Sequence, residues 1–369
     1  MVKTKATLLL VSIAFLACCT ERQQGFLLHP ETMSIPGNSH GRFVSLAVAG
    51  TSLVAAFSER ETTTLKFLRL PLGPHLPAEA PAATIVDKID VAPPLSPTFG
   101  AHVLSTHGDI VDILYQDRES EDRSILKLAS KSLDAPQWNL DVLEPPGDPL
   151  AVLPAANGAL SVFWAADAIL SRRLPGSSPL STLRSSFQKA GQASVYGPGG
   201  FTVYDAASRS LIVVSGSDTG FISRELAGAA AVHSSLLSSD GQLAVLTWDA
   251  QTRRLSLLEE RSGAARISRS TITLSERTGT VALLTAPGRS TYMFLFDEER
   301  QLGGIRAQHQ LSIIAPGYLL GAIGTRYRKA ALLSGTEPIE GFAAVETQDA
   351  LYVLALQGGL KLLRLGLAR

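Results

Sequence analysis

Seven short apolar runs recur along the chain, and six of them close on an aromatic residue: LVAAF at Phe57, DILY at Tyr115, SVFW at Trp164, FTVY at Tyr204, AVLTW at Trp248 and YMFLF at Phe296. The seventh, YVLAL, closes on Leu356. Successive ends lie 58, 49, 40, 44, 48 and 60 residues apart, a repeat of roughly 50. Gly, Pro, Ser and Asp break the chain every few residues, and the runs between are rich in Val, Leu, Ile, Phe and Tyr, which is the signature of strands. A repeating unit of this length made of short strands cannot bury its faces alone. It must stack against copies of itself.

Each unit supplies about four strands. A first strand precedes the aromatic run, as in SLAVAG, HVLSTHGD and HSSLLSSDG, and a third follows it, as in TTLKFLRL, ILKLAS and LSLLEE. A fourth is visible in TIVDKIDV and WNLDVL. Four antiparallel strands per repeat make one blade of a β-propeller, so the expected fold class is all-β, with seven blades favoured and six or eight also compatible. The closing aromatics are expected to fill the wedge between blades. Aspartate follows five of them within three residues (Asp117, Asp167, Asp205, Asp249 and Asp297) and is expected to start a turn by accepting from backbone N–H groups two residues on. Asp205-Ala206-Ala207-Ser208 and Asp249-Ala250-Gln251-Thr252 share the form D-A-x-[ST], each followed by Arg and Leu. These two units resemble the repeats of bacterial PQQ-like and YVTN-type propellers, a resemblance that implies an architecture and no activity.

The last unit has only three strands before the chain reaches Arg369. Residues 26–35, FLLHPETMSI, have no partner of their own and are expected to close the ring beside 360–367. The segment 317–339 fits either the outer strands of the sixth blade or an extra hairpin.

The first residues read as an address. Lys3 and Lys5 precede a twelve-residue apolar run, 6–17, too short to span a bilayer. Phe15-Leu16-Ala17-Cys18 resembles the lipobox of bacterial lipoproteins, in which a small residue precedes the cysteine that becomes acylated. The resemblance implies lipid attachment at Cys18, with Cys19 as the alternative, and an outer-membrane location in the cell envelope. The domains expected are therefore a signal peptide at 1–17, a lipidated polar tether at 18–25 and a single propeller at 26–369.

Cys18 and Cys19 are the only cysteines, so the body has no disulfide framework and no CxxC metal site. Equal counts of 33 basic and 33 acidic residues exclude a polybasic nucleic-acid binder. No GxSxG, Walker, GxGxxG, HExxH or EF-hand sequence is present. Asp218-Thr219-Gly220 matches the aspartic-protease triplet but occurs once and reads as a hairpin turn. His102 and His107 with Asp109 and Asp112 could ligate a metal, yet a strand followed by a turn makes those side chains diverge. Ser238-Ser239-Asp240-Gly241 with Trp248 departs from the Asp-box of sialidases. Gly197-Pro198-Gly199-Gly200 reads as a turn, and Trp138 as a blade-edge packing residue. No catalytic residue, cofactor or metal is expected, and the chain is read as non-enzymatic.

Every turn from second to third strand emerges on one face of a propeller. The segments assigned there carry Glu59, Arg60 and Glu61; Asp117, Arg118, Glu119, Glu121, Asp122 and Arg123; Arg253 and Arg254; and Glu298, Glu299 and Arg300. Such a face can serve as solvated hairpin tips or as a charge-patterned docking rim. The function expected is an envelope-anchored, non-catalytic scaffold for envelope proteins, as a monomer or within a hetero-complex. It would act like the outer-membrane assembly scaffold lipoproteins, which also join an anchor to a propeller. The alternative is a carbohydrate- or small-ligand-binding propeller. The small apolar first strands (SLAVAG, AVLPA, ASVYG, TVALLTA) speak against a charged axial pocket for it.

Overall fold

The runs that close on an aromatic, and the one that closes on Leu356, are the second strands of seven four-stranded antiparallel sheets. The computed structural model describes residues 30–366 except 38–39, 60–61, 90–100, 121–122, 145–146, 156–157, 176–178, 188–192, 198, 218–219, 227–229, 238–240, 261–266, 274–277, 286–291, 303–305 and 317–326. Among these residues the regular elements are all strands. The first, β1 (Glu31–Ile35), belongs to the last blade. Blade 1 holds β2 (His40–Ala49), β3 (Ser52–Glu59), β4 (Thr64–Pro71) and β5 (Thr84–Lys88). Blade 2 holds β6 (His102–His107), β7 (Ile110–Ser120), β8 (Arg123–Ser132) and β9 (Asn139–Leu143). Blade 3 is β10 (Asp148–Pro154), β11 (Leu160–Ala165), β12 (Ala168–Leu174) and β13 (Ser181–Ser185), and blade 4 is β14 (Ser194–Gly197), β15 (Gly200–Asp205), β16 (Ser210–Ser217) and β17 (Gly220–Leu226). Blade 5 is β18 (Val232–Leu237), β19 (Leu243–Asp249), β20 (Arg254–Glu260) and β21 (Ile267–Thr273). Blade 6 is β22 (Val281–Thr285), β23 (Tyr292–Leu302), β24 (Arg306–Pro316) and β25 (Tyr327–Gly335). Blade 7 is β26 (Gly341–Glu346), β27 (Ala350–Leu356), β28 (Leu360–Gly366) and, outermost, β1.

The ring closes as expected from the missing fourth strand: Glu31 pairs with Arg364, Met33 with Leu362 and Ile35 with Leu360. Residues 26–29 lie outside the described residues. Of the segment 317–339, Tyr327–Gly335 is the outer strand of blade 6, and 317–326 lie outside the description.

Seven hydrophobic clusters occupy the seven blade-to-blade interfaces, so the core is a ring of wedges. Alternation along each second strand divides its side chains between two such wedges. In blade 2, Val111, Ile113 and Tyr115 pack towards blade 1, whereas Leu114 packs towards blade 3. The closing residues do fill wedges, but in two senses. Phe57, Tyr115, Trp164 and Phe296 face the preceding blade; Tyr204, Trp248 and Leu356 face the following one. Tyr204 is also only half-buried, and Phe201 is the fully enclosed ring of its strand.

The aspartate expectation holds where the D-A-x-[ST] form holds. Asp205 Oδ1 accepts from Ala207 N at 3.1 Å and its Oδ2 from Ser208 Oγ at 2.8 Å; Asp249 accepts from Gln251 N at 2.9 Å and Thr252 Oγ1 at 2.7 Å. The arginine that follows takes the left-handed conformation, φ 53° at Arg209 and 52° at Arg253, which completes each hairpin. Asp117 and Asp297 start no turn. Asp117 lies within β7 opposite Ile125, and Asp297 within β23 opposite Leu311, where it accepts from Thr280 N across to the start of β22.

Candidate functional site

The antiparallel register puts the β3–β4, β7–β8, β11–β12, β15–β16, β19–β20, β23–β24 and β27–β28 connections on one face of the ring. On that face two hairpins differ from the rest. The inner strand β6 gives out opposite Tyr115, yet β7 continues from Gln116 to Ser120; β22 gives out opposite Phe296, yet β23 continues to Leu302. Five and six further residues, at about 3.3 Å each, carry these hairpins roughly 15–20 Å past their inner strands.

The charged residues assigned to this face divide into an inner and an outer set. Glu59, Asp117 and Glu298 are buried and bonded within the fold. Glu59 meets Lys66 Nζ at 2.5 Å and accepts from Thr62 Oγ1 at 2.6 Å; Glu298 meets Lys329 Nζ at 2.7 Å. Asp117 and Glu298 lie within strands because their hairpins are longer than the turn assignment allowed, and Glu59 is the last residue of β3. Arg123, Arg253 and Arg254 are exposed, with Arg123 Nη2 donating to Glu144 Oε1 at 2.6 Å, and Arg118 and Glu299 are half-buried. Arg60, Glu61, Glu121 and Asp122, together with the side chains of Glu119 and Arg300, lie outside the described residues.

Beneath the blade 2 hairpin is a network that the sequence did not disclose. Lys127 Nζ lies 2.6 Å from Asp117 Oδ2 and 2.9 Å from Asp87 Oδ2, and Tyr115 Oη donates to Asp87 at 2.6 Å. Burial works against the lysine's charge, but hydrogen bonds and charges from Asp117 and Asp87 outweigh it and hold the ammonium above its ordinary pKa. Burial, then the hydrogen bond and charge of Asp87, then the charge of Asp117, push the Tyr115 phenol up. Lys127→Met would leave two carboxylates facing each other without their cation. Denaturant unfolding is expected to show a loss of about 3 kcal/mol, with Lys127→Arg recovering most of it. Equal stability of Lys127→Met and the natural chain would disprove the coupling.

The histidines diverge as the strand reading required. His102 is buried with Nε2 at 2.9 Å from Ala56 O of blade 1, whereas His107 Nδ1 approaches Asp112 Oδ2 at 3.1 Å. Asp112 is fully buried and accepts from Ser130 Oγ at 2.5 Å; burial dominates and raises its carboxyl above the usual range. Ser130 bonds the carboxylate and not the imidazole, so the three do not form a nucleophile–base relay. Among the described residues no three His, Cys, Asp or Glu side chains converge as a metal site. Residues 218–219 and 238–240 lie outside the description. Gly197 and Gly200 pair across the β14–β15 turn, and Trp138 packs edge-on against Phe67 with centroids 5.2 Å apart.

The runs SLAVAG, AVLPA, ASVYG and TVALLTA fall in or overlap the innermost strands β2, β10, β14 and β22. Hydroxyls tie neighbouring inner strands together there: Thr106 Oγ1 donates to Val48 O at 2.8 Å, Ser235 Oγ to Ser194 O at 2.8 Å, and Ser234 Oγ accepts from Leu283 N at 3.0 Å.

No protein-family profile matches the chain, and no curated protein does. Solved structures match its fold. One described as YCF48 bound to D1 peptide superposes with a TM-score of 0.54 at 10% identity, covering 91% of this chain and 94% of that one. The WD40 domain of Toxoplasma gondii coronin gives 0.54 at 12% identity, covering 93% and 86%. YCF48 from Cyanidioschyzon merolae gives 0.52 at 11% identity, covering 91% and 98%. At these identities the likeness establishes the propeller fold.

Proposed function

We propose that this propeller is a non-catalytic scaffold of the bacterial envelope, anchored by lipid at Cys18 or Cys19, that docks protein partners on the face carrying the two long hairpins. The observation that carries the reading is their projection. The β7–β8 and β23–β24 hairpins of blades 2 and 6 run on past the ends of their inner strands, whereas the second and third strands of the other blades are shorter. Exposed arginines on this face, Arg123, Arg253 and Arg254, lie among acidic neighbours, an arrangement that sets orientation and partner choice more than raw affinity. A propeller of similar fold has been solved with a bound peptide, which supports the architecture as a peptide-holding one.

Crosslinking in intact cells, pull-down of the lipidated protein and mass spectrometry test this. Envelope proteins are expected to be recovered with the natural chain and to fall to background when Arg123, Arg253 and Arg254 are all changed to Glu. These three side chains are exposed, so the melting curve should stay within a few degrees. Recovery unchanged by the triple swap would refute the docking face.

A further inference from the structure

On the opposite face, at the outer end of the wedge between blades 1 and 2, two cations sit together without a matching pair of anions. Lys131, near the end of β8, lies over the ring of Phe67 at 5.0 Å and over that of Trp138 at 4.9 Å. Among the described residues no carboxylate or carbonyl accepts from its ammonium. Its charged neighbour is Arg69, and burial followed by that positive charge lowers the lysine's pKa. Arg69 is fixed in place: Nε donates to Ser52 Oγ at 3.0 Å, and Nη1 to Leu133 O at 3.0 Å and Asp134 Oδ1 at 2.9 Å. Its Nη2 has no acceptor among the described residues. Asp134 is 87% exposed, so it screens one edge of the guanidinium weakly and leaves Lys131 uncompensated.

We propose that Arg69, Lys131 and Trp138 form a binding site for a phosphate group carried on an amphipathic ligand. The guanidinium offers a directional donor and the ammonium a point charge, and a tetrahedral phosphate has oxygens enough to meet both. Fixing one cation by three hydrogen bonds and the other between two rings lowers the cost of ordering them around an anion. The half-buried face of Trp138 and, two residues on, Leu140, which is 44% exposed, provide an apolar shelf for the rest of the ligand. Strand direction places the site on the face from which the chain enters β1, since Glu31 pairs with Arg364 near the far end of β28. The inference is independent of the docking face.

Fluorescence titration of the full chain provides the test. Trp164 and Trp248 are buried, so a ligand-induced change in emission reports Trp138. The probes are inorganic phosphate, monomeric dihexanoyl-phosphatidylglycerol, and vesicles of phosphatidylglycerol set against phosphatidylcholine. A saturable change is expected with the short-chain lipid. Lys131→Met, which keeps the apolar stem between the rings, should weaken it about tenfold. Asp134→Asn, a change at an exposed position that keeps an acceptor for Arg69 Nη1 and removes the competing negative charge beside it, should tighten it. A preference for phosphatidylglycerol vesicles would identify a membrane headgroup as the source, and tighter binding of the short-chain lipid than of either vesicle a soluble amphiphile; either supports the site, whereas equal binding of inorganic phosphate would overturn the amphipathic ligand. No saturable change with any probe would overturn the proposal, as would unaltered affinity in both variants.

Discussion

Removing residues 26–35 is expected to lower the melting temperature by about 10 °C or more, because β1 is the outer strand that locks the ring. Met33 and Ile35 are each 4% exposed and pack with Leu354, Leu356, Leu360 and Leu362 in the wedge between blades 7 and 1. Burial of two such side chains is worth roughly 1.5–3 kcal/mol each, and their loss would also uncover the β28 leucines. A strand's length of backbone donors and acceptors would open at the edge. The first residue of the strand secures the same seam by polar contacts. Glu31 accepts from Leu76 N at 2.7 Å and lies 2.8 Å from His75 Nδ1, both in the β4–β5 connection of blade 1. Arg364 Nε completes the seam by donating to Gly73 O at 3.2 Å. At roughly 1.4 °C per kcal/mol for a domain of this size, the combined loss of side-chain burial and strand pairing is large enough to read in a thermal scan. Deletion of 20–24, which leaves β1 and its pairing with β28 in place, should leave the curve unchanged. Equal curves for the two deletions would show that closure does not depend on β1.

That closure was legible because a strand deficit at one end and an orphan strand at the other is a counting argument, insensitive to side-chain detail. The blade number was legible for the same reason: each unit leaves an apolar run of strand length. Which wedge each closing residue fills was not. Side chains alternate along a strand, so a shift of one residue sends the ring to the opposite interface, and Tyr204, Trp248 and Leu356 are shifted relative to Phe57 and Tyr115. The charged face was legible only in part. Its sidedness follows from topology, but hairpin length does not follow from a run of polar residues. Polar residues pair across β7–β8 and β23–β24 as readily as they turn, which is how Asp117 and Glu298 came to lie inside strands. Arg69 and Lys131 are 62 positions apart, and only the packing of blade 1 on blade 2 brings them together. Trp138 was visible as an aromatic at a blade edge, but its cation partner was not.

The second large effect is expected at the membrane. If the cysteine pair carries the anchor, changing both Cys18 and Cys19 to Ala should move the protein from the membrane pellet to the soluble fraction, since each acyl chain contributes about 0.8 kcal/mol per buried CH₂ and several chains anchor firmly where one does not. The single variants then distinguish the attachment point: Cys18→Ala alone should release the protein, and Cys19→Ala alone should not. Folding should be untouched, because both positions precede β1 and the propeller closes without them. The direction of β1 gives the experiment a second readout. The strand begins on the face that bears Arg69 and Lys131 and runs towards the face of the long hairpins, so a lipid anchor on the chain before it would bring the first face nearer the bilayer than the hairpins. The released double variant should therefore keep its affinity for a purified partner while losing that partner's recovery from intact cells. A double variant still in the pellet would dismiss the lipid anchor. A released one that no longer bound its partner in solution would place membrane and partner on one shared surface, against the two-faced arrangement of the ring.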